Sequence, residues 1–160
     1  MSKSYTRLHS PLGKLLVVIE GGNVSGLYQE RQPNTPEEGS IGAADPSLRF
    51  HPVASALHSY FNGSPGSIDI PLALSGTPFQ KKVWAAILDI PYGHTATYKE
   101  VAATIGSPKS VRAVANAVAN NPITVIVPCH RVISQNGDVK YSGGEKNKRY
   151  LLALEAGRKR

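Results

Sequence analysis

The chain has 160 residues, 41% of them apolar, a single cysteine and a formal net charge of +7. That length and apolar fraction suit one domain or two small ones sharing an interface, and exclude a chain disordered throughout. A lone cysteine excludes an intramolecular disulfide framework and a four-cysteine zinc site, and no stretch approaches the roughly 18 apolar residues of a membrane span. The charge is uneven. Residues 1–75 carry five Lys/Arg against six Asp/Glu, net −1, and residues 76–160 carry thirteen against five, net +8. A surface for a polyanion, nucleic acid first, is therefore expected in the second half. Arg158, Lys159 and Arg160 contribute three of those cations as a terminal tail. The opening residues MSKSYTRLHS contain no apolar signal core, so the chain reads as soluble and unexported, in a reducing cytosolic setting.

In chain order, three strands come first. Tyr5–Leu8 is followed by the turn Ser10-Pro11-Leu12-Gly13, Leu15–Ile19 by the turn Gly21-Gly22-Asn23, and Val24–Tyr28 is the third. Residues 31–47, rich in Pro, Gly, Glu and Ser, read as a surface loop. Pro52–Phe61 reads as a helix with Val53, Leu57 and Tyr60 on one side, and Ile68–Leu74 as a short strand. A boundary at Gly76 divides the chain into 1–75 and 76–160.

The second half reads as mostly helical. Thr77-Pro78-Phe79-Gln80 is a capping box with proline at the first helical position, and Phe79, Val83, Trp84, Ile87 and Ile90 form the apolar stripe behind it. Thr97-Tyr98-Lys99-Glu100 is a second capping box, opening a helix with Val101, Ala102 and Ile105 inward and Gly106 as a left-handed cap. Ser107-Pro108 starts a third helix at once, with Val111, Val114 and Val118 inward. Two short helices joined through a glycine turn give a helix-turn-helix pattern. The outer face of the third helix carries the small Ser110, Ala113 and Ala117 beside the polar Lys109, Arg112 and Asn116. The pattern alone fits a DNA-reading helix or an ordinary helical hairpin.

Residues 123–127, ITVIV, read as a buried strand ending at Pro128-Cys129-His130-Arg131. A thiol beside a histidine is either an activated nucleophile or a buried structural cysteine. On an extended segment the two side chains would point to opposite faces, so their contact would need a water or a kink. A last helix spans about 146–156. Its Glu155 lies near the Leu151/Leu154 face, where a carboxylate is costly without a partner and could polarise a histidine; a solvated rim position is the alternative. Tyr141-Ser142-Gly143-Gly144 offers backbone amides near the presumed site, and Asn121-Pro122 stands between the third helix and the apolar run, where an asparagine bonds across turns.

Pro128-Cys129-His130-Arg131-Val132-Ile133 resembles the active-site signature of the O6-alkylguanine-DNA alkyltransferases, or methylated-DNA–protein-cysteine methyltransferases. Thr77-Pro78-Phe79-Gln80, Val83-Trp84, Ile90-Pro91-Tyr92-Gly93, Thr97-Tyr98, Arg112-Ala113-Val114, Asn121-Pro122, Tyr141-Ser142-Gly143-Gly144 and Leu151–Glu155 fall in that family's order. The resemblance is strong over about 76–157 and general over the first 75 residues. It implies an α/β (α+β) fold: a small ribonuclease H-like sheet-and-helix domain, then a mostly helical domain bearing the helix-turn-helix. It implies irreversible, stoichiometric transfer of an O6-alkyl group from guanine in double-stranded DNA to Cys129, after base flipping through the minor groove.

In that scheme His130 deprotonates Cys129 through a water, and Glu155 polarises His130. Tyr98 donates to the leaving base and helps rotate its phosphate. Arg112 fills the gap left in the stack, with Lys109, Ser110, Ala113 and Asn116 along the DNA. Backbone around Ser142, with Tyr141 and Gly143, meets O6, and the carbonyls of Cys129 and Val139 meet the exocyclic amine. Asn121 is a hinge and Arg131 a structural brace. The resemblance implies no cofactor and no metal, because the cysteines that hold zinc in the first domain of some relatives are missing. It implies a monomer on damaged duplex, with cooperativity left open, and no membrane partner. The chain departs from the family pattern in a loop between Gly137 and Tyr141 that is one residue short, and in Ala115 where glycine is frequent. Rival readings are a lesion-binding relative, which lacks the cysteine, a Cys–His hydrolase and a plain transcription regulator.

Overall fold

A computed structural model describes residues 2–66, 68–136, 141 and 143–157. Its first half is built on two tight hairpins. Strand β1 (Lys3–Ser10) pairs antiparallel with β2 (Gly13–Glu20), and β2 with β3 (Asn23–Tyr28). The second hairpin turns on Gly21 and Gly22, at φ 59° and 85°. Positive φ at both central residues matches the right-handed strand twist, and glycine takes it without steric cost.

The stretch expected as a plain loop holds more structure than its composition suggests. It contains a 3-10 turn at Glu38–Ser40 and a two-residue strand β4 (Ala43–Ala44) parallel to β1, giving the sheet order β3-β2-β1-β4. Gly42 makes this possible: it sits at φ 85°, and a Cβ there would run into the Lys3 carbonyl. Strand β2 is buried on both faces. Leu15, Val17 and Ile19 enter the main core, while Leu16 and Val18 pack with Tyr28 and Ile41 in a smaller cluster. Its sequence is therefore a continuous apolar run and does not alternate.

Helix α1 (Pro52–Phe61) buries Val53, Leu57 and Tyr60 on one side, as its spacing predicts. Residues 68–74 form no regular strand. Only Leu72 bridges to Val24, through Val24 N–H to the Pro71 carbonyl (3.1 Å) and Ala73 N–H to the Val24 carbonyl (2.7 Å).

Helix α2 (Pro78–Leu88) and helix α3 (Tyr98–Thr104) both start with complete capping boxes, from Thr77 with Gln80 and from Thr97 with Glu100. Trp84 on α2 is buried and donates from Nε1 to the Ala117 carbonyl at 2.9 Å. Gly106, at φ 78°, ends α3 in a Schellman arrangement, with Gly106 N–H on the Ala103 carbonyl and Ser107 N–H on that of Ala102. Because Ser107 caps α3, the next helix does not begin there. Residues 107–110 make a turn, and α4 spans Val111–Ala119. Val111 is exposed and Ala117 buried, the reverse of the expected facing, while Val114 and Val118 are inward as expected.

Residues 123–127 are not a strand. Ile123 bridges to Leu27 of β3, and the chain then closes a turn with Val127 N–H on the Ile123 carbonyl at 2.9 Å. Val125 takes φ 73°, a strained region for a β-branched residue. The apolar run is fully buried, which periodicity cannot distinguish from a core strand. A 3-10 turn at Cys129–Arg131 follows, then β6 (Val132–Ile133), parallel to β5 (Ala96–Thr97), and finally α5 (Glu145–Glu155). One core cluster joins the inner sheet face, α1 to α4, residues 123–127 and Leu151 of α5. Among the described residues no helix is long and apolar enough to cross a membrane.

Candidate active site

Cys129 lies where the 3-10 turn meets the buried turn at 123–127, and is 1% exposed. Asn121 fixes that approach. Its Nδ2 donates to the Val127 carbonyl at 2.8 Å, and its Oδ1 accepts from Ile123 N–H at 2.9 Å. An asparagine bridging the turn in both directions ties the end of α4 to the residues just before the thiol. Burial pushes the Cys129 thiol up to about 11, against hydrogen bonds with the side chains of Asn121 and Tyr141 and the charge of Lys148. The resting thiol is thus neutral at pH 7, and its activation needs a base.

Next in the chain, His130 is fully buried, with Nε2 2.7 Å from Glu155 Oε2. Its Nδ1 is the one buried side-chain nitrogen or oxygen among the described residues without a hydrogen-bond partner. Burial lowers the imidazole pKa, while Glu155 opposes that shift. The 3-10 turn, rather than an extended segment, sets the relation of Cys129 to His130, so the alternation expected of a strand does not apply.

Glu155 is buried and collects donors. Arg131 Nε donates to Oε1 at 2.7 Å and Arg131 Nη2 to Oε2 at 3.0 Å. Tyr60 donates from its hydroxyl to Oε2 at 2.5 Å, and Gly93 N–H reaches Oε1 at 3.4 Å. Burial alone would raise this carboxyl. The hydrogen bonds from His130, Arg131 and Tyr60, with the His130 charge, outweigh it and hold the pKa at about 2. Arg131 also donates from Nη1 to the Ile90 carbonyl at 2.6 Å, bracing the loop after α2. The rim alternative for Glu155 is excluded by its 5% exposure.

Tyr98, at the first turn of α3, is half-buried; burial, and then the neighbouring Cys129, raise its pKa, so its phenol keeps its proton at neutral pH. Tyr141 accepts from Gln29 Nε2 at 2.8 Å, and its pKa is raised by burial and by the nearby Cys129. Gly143 packs so closely on Gln29 and the Tyr141 ring that a Cβ would collide with both. Val139 and Ser142, and the shortened loop 137–140, lie outside the described residues. Along α4 and the turn before it, Lys109, Arg112, Ala113 and Asn116 are exposed and Ser110 is half-buried. Helical spacing puts Arg112, Ala113 and Asn116 on one stripe of α4, opposite Val114, Ala117 and Val118, and Lys109 lies in the turn before it.

Three contributors escaped the sequence reading. Helical spacing assigns Tyr60 only to the core face of α1. Gln29 ends β3 with no motif around it. Lys148 is 1% exposed and donates from Nζ to the Val132 carbonyl at 2.7 Å. It lies three residues before Leu151 and seven before Glu155, so the helical period of α5 could have found it.

The chain matches the sequence profile described as "6-O-methylguanine DNA methyltransferase, DNA binding domain" over residues 78–157. The methylated-DNA–protein-cysteine methyltransferase of Mycobacterium tuberculosis is 41% identical over 155 residues, covering 96% of this chain and 93% of the relative. A probable methylated-DNA–protein-cysteine methyltransferase of Acanthamoeba polyphaga mimivirus is 53% identical over 113 residues, 68% of this chain and 76% of the relative. The crystal structure of M. tuberculosis OGT in complex with DNA superposes with a TM-score of 0.87 at 39% identity, covering 97% of this chain and 94% of that one. With a buried cysteine, a buried histidine–carboxylate pair that starts at the next residue and near full-length likeness to these proteins, the chain belongs to the O6-methylguanine-DNA methyltransferase family.

Proposed function

We propose that this chain repairs DNA by direct reversal, moving the O6-alkyl group of a damaged guanine in duplex DNA onto Cys129, once per molecule. The observation that carries this reading is the lone thiol next in the chain to a buried His130–Glu155 pair, whose second ring nitrogen, Nδ1, has no hydrogen-bond partner among the described residues.

The thiol proton passes through one water to His130 Nδ1, and Glu155 stabilises the imidazolium formed. The sulfur attacks the alkyl carbon. The S–C bond forms as the C–O6 bond breaks, and the electron pair stays on the guanine. The proton held by His130 returns through water to the base, so thiol and O6-alkylguanine become thioether and guanine. Tyr98 donates to the base as charge builds on it. A thioether has no easy leaving group, which makes the protein its own single-use reagent.

A base inside a duplex hides its O6 substituent, so the nucleotide must be extruded. Arg112 enters the gap it leaves, while Lys109, Ser110, Ala113 and Asn116 run along the minor groove, where readout is degenerate and sequence preference slight. Asn121 links that helix to the thiol. Backbone around Ser142 and the carbonyls of Cys129 and Val139 are assigned to the base by family resemblance. In this reading residues 1–75 support residues 76–160, which bind DNA and carry the chemistry, and the protein works beside DNA, in the cytoplasm of a prokaryote or the nucleus of a eukaryote.

The test is a mass measurement after incubation with a duplex containing O6-methylguanine. The expected result is a gain of one methyl group per protein molecule, absent in Cys129→Ala. Unmodified protein, or repeated turnover without modification, would overturn the proposal.

A further inference from the structure

Glu155 Oε2 is shared by three donors, and one of them comes from residues 1–75. Tyr60, on the last turn of α1, is 3% exposed and sends its hydroxyl 2.5 Å to that oxygen. The same hydroxyl is 3.5 Å from His130 Nε2. A phenol has one proton to give, and the shorter contact takes it. The Tyr60 ring is held edge-on by Phe61 at 5.2 Å and by Tyr92 at 6.1 Å, so its hydroxyl has little freedom to turn elsewhere.

We propose that Tyr60 is a positioning residue of the transfer site: by donating to Glu155 Oε2 it holds that carboxylate against His130 Nε2 and weakens its pull on the Nε2 proton, and so sets how basic the bare Nδ1 is toward the thiol proton. The inference rests on the alkyl-transfer reading, and gives the first half of the chain a part in the chemistry. With Arg131 and Tyr60 both donating, Glu155 can offer Oε2 to His130 only as an acceptor, which fixes the tautomer. Tyr60 also tunes the pair. Each donor on Oε2 spreads the charge that His130 feels, and so limits how basic the imidazole becomes.

The charged groups acting on this pair are Arg131, on the same 3-10 turn as His130, and Lys148, on the same helix as Glu155; both disfavour the imidazolium. Tyr92 and Tyr141 act on Glu155 as neutral groups, each with its proton held by burial. None of these is altered in Tyr60→Phe, which removes one oxygen. The freed carboxylate then pulls harder on the Nε2 proton, and His130 becomes more basic.

The experiment measures the methyl-transfer rate against pH for the full chain and for Tyr60→Phe, with Leu57→Val on the same helix as a control for lost packing. The acid limb of the Tyr60→Phe profile is expected to move to higher pH by about half a unit, with the limb of Leu57→Val unmoved. Nitrogen-15 imidazole spectra should show His130 as the Nε2–H tautomer in the natural chain, and titrating at higher pH in Tyr60→Phe. An unmoved limb in folded Tyr60→Phe overturns the proposal, and so does an Nδ1–H tautomer in the natural chain. If Tyr60→Phe does not fold, 3-fluorotyrosine placed at position 60 alone decides: as a stronger donor of nearly the same size it is expected to move the acid limb to lower pH, and an unmoved limb overturns the proposal. If the natural chain transfers no methyl group, the functional reading fails, while the difference in His130 titration between the natural chain and the variant still reports on Tyr60.

Discussion

At the residue scale the controlling group is Glu155, because it sets the charge state of everything around it. A carboxyl held at about 2 instead of its ordinary 4.5 binds its proton less readily in the folded chain than in the unfolded one. The stability this contributes, about 3 kcal/mol, is present above about pH 4.5 and lost as pH falls toward 2. Denaturant titrations between pH 6 and 2 are expected to show that loss, and Glu155→Gln to flatten it. The same substitution leaves Arg131 buried without its counter-charge, so a loss of about 3–5 kcal/mol at pH 7 is also expected. Cys129 works in the opposite sense. Its neutral resting thiol suits a site that must stay inert until a base arrives, and Cys129→Ala is expected to abolish covalent product while leaving duplex binding in a gel-shift assay intact.

At the element scale, α4 separates two tasks on its two faces. Val114, Ala117 and Val118 hold it to the core, and Trp84 clamps its C-terminal turn. The exposed stripe is the one proposed to lie along DNA. Arg112→Ala is therefore expected to slow repair of duplex far more than reaction with a free-base inhibitor, and equal losses on both would contradict the role in the stack. Arg112→Ala and Lys109→Ala should each reduce the dependence of log affinity on log salt by about one. The capping boxes belong to the same scale. Thr77→Ala removes the acceptor for Gln80 N–H and is expected to cost about 1 kcal/mol in thermal or denaturant unfolding, with no change in the transfer rate of the folded protein.

At the scale of the whole molecule, the site is assembled where β3 meets the turn before Cys129. Leu27 N–H donates to the Pro122 carbonyl at 2.8 Å, Thr124 N–H returns to the Leu27 carbonyl at 3.0 Å, and the Leu27 side chain is fully buried. The core that includes it also contains Trp84. Leu27→Ala is expected to destabilise by about 2–5 kcal/mol, and Trp84 fluorescence and far-ultraviolet circular dichroism should report one shared transition.

Local chemistry in the sequence determined the strand hairpins, both capping boxes, the glycine end of α3 and the Pro-Cys-His-Arg centre, because each is a contact among residues a few positions apart. It also marked Glu155 as a carboxylate near an apolar face, but left a solvated rim position open until burial in the packed chain removed it. Tertiary structure decided what joins them. Whether 123–127 extends or turns could not be read, since a uniformly buried run has no period to betray its shape. The start of α4 was hidden by a serine already used to cap the helix before it. Tyr60 and Glu155 are 95 residues apart, and Gln29 and Tyr141 are 112 apart. No local pattern encodes such pairings; they exist only once the sheet, α1 and α5 have packed on one core.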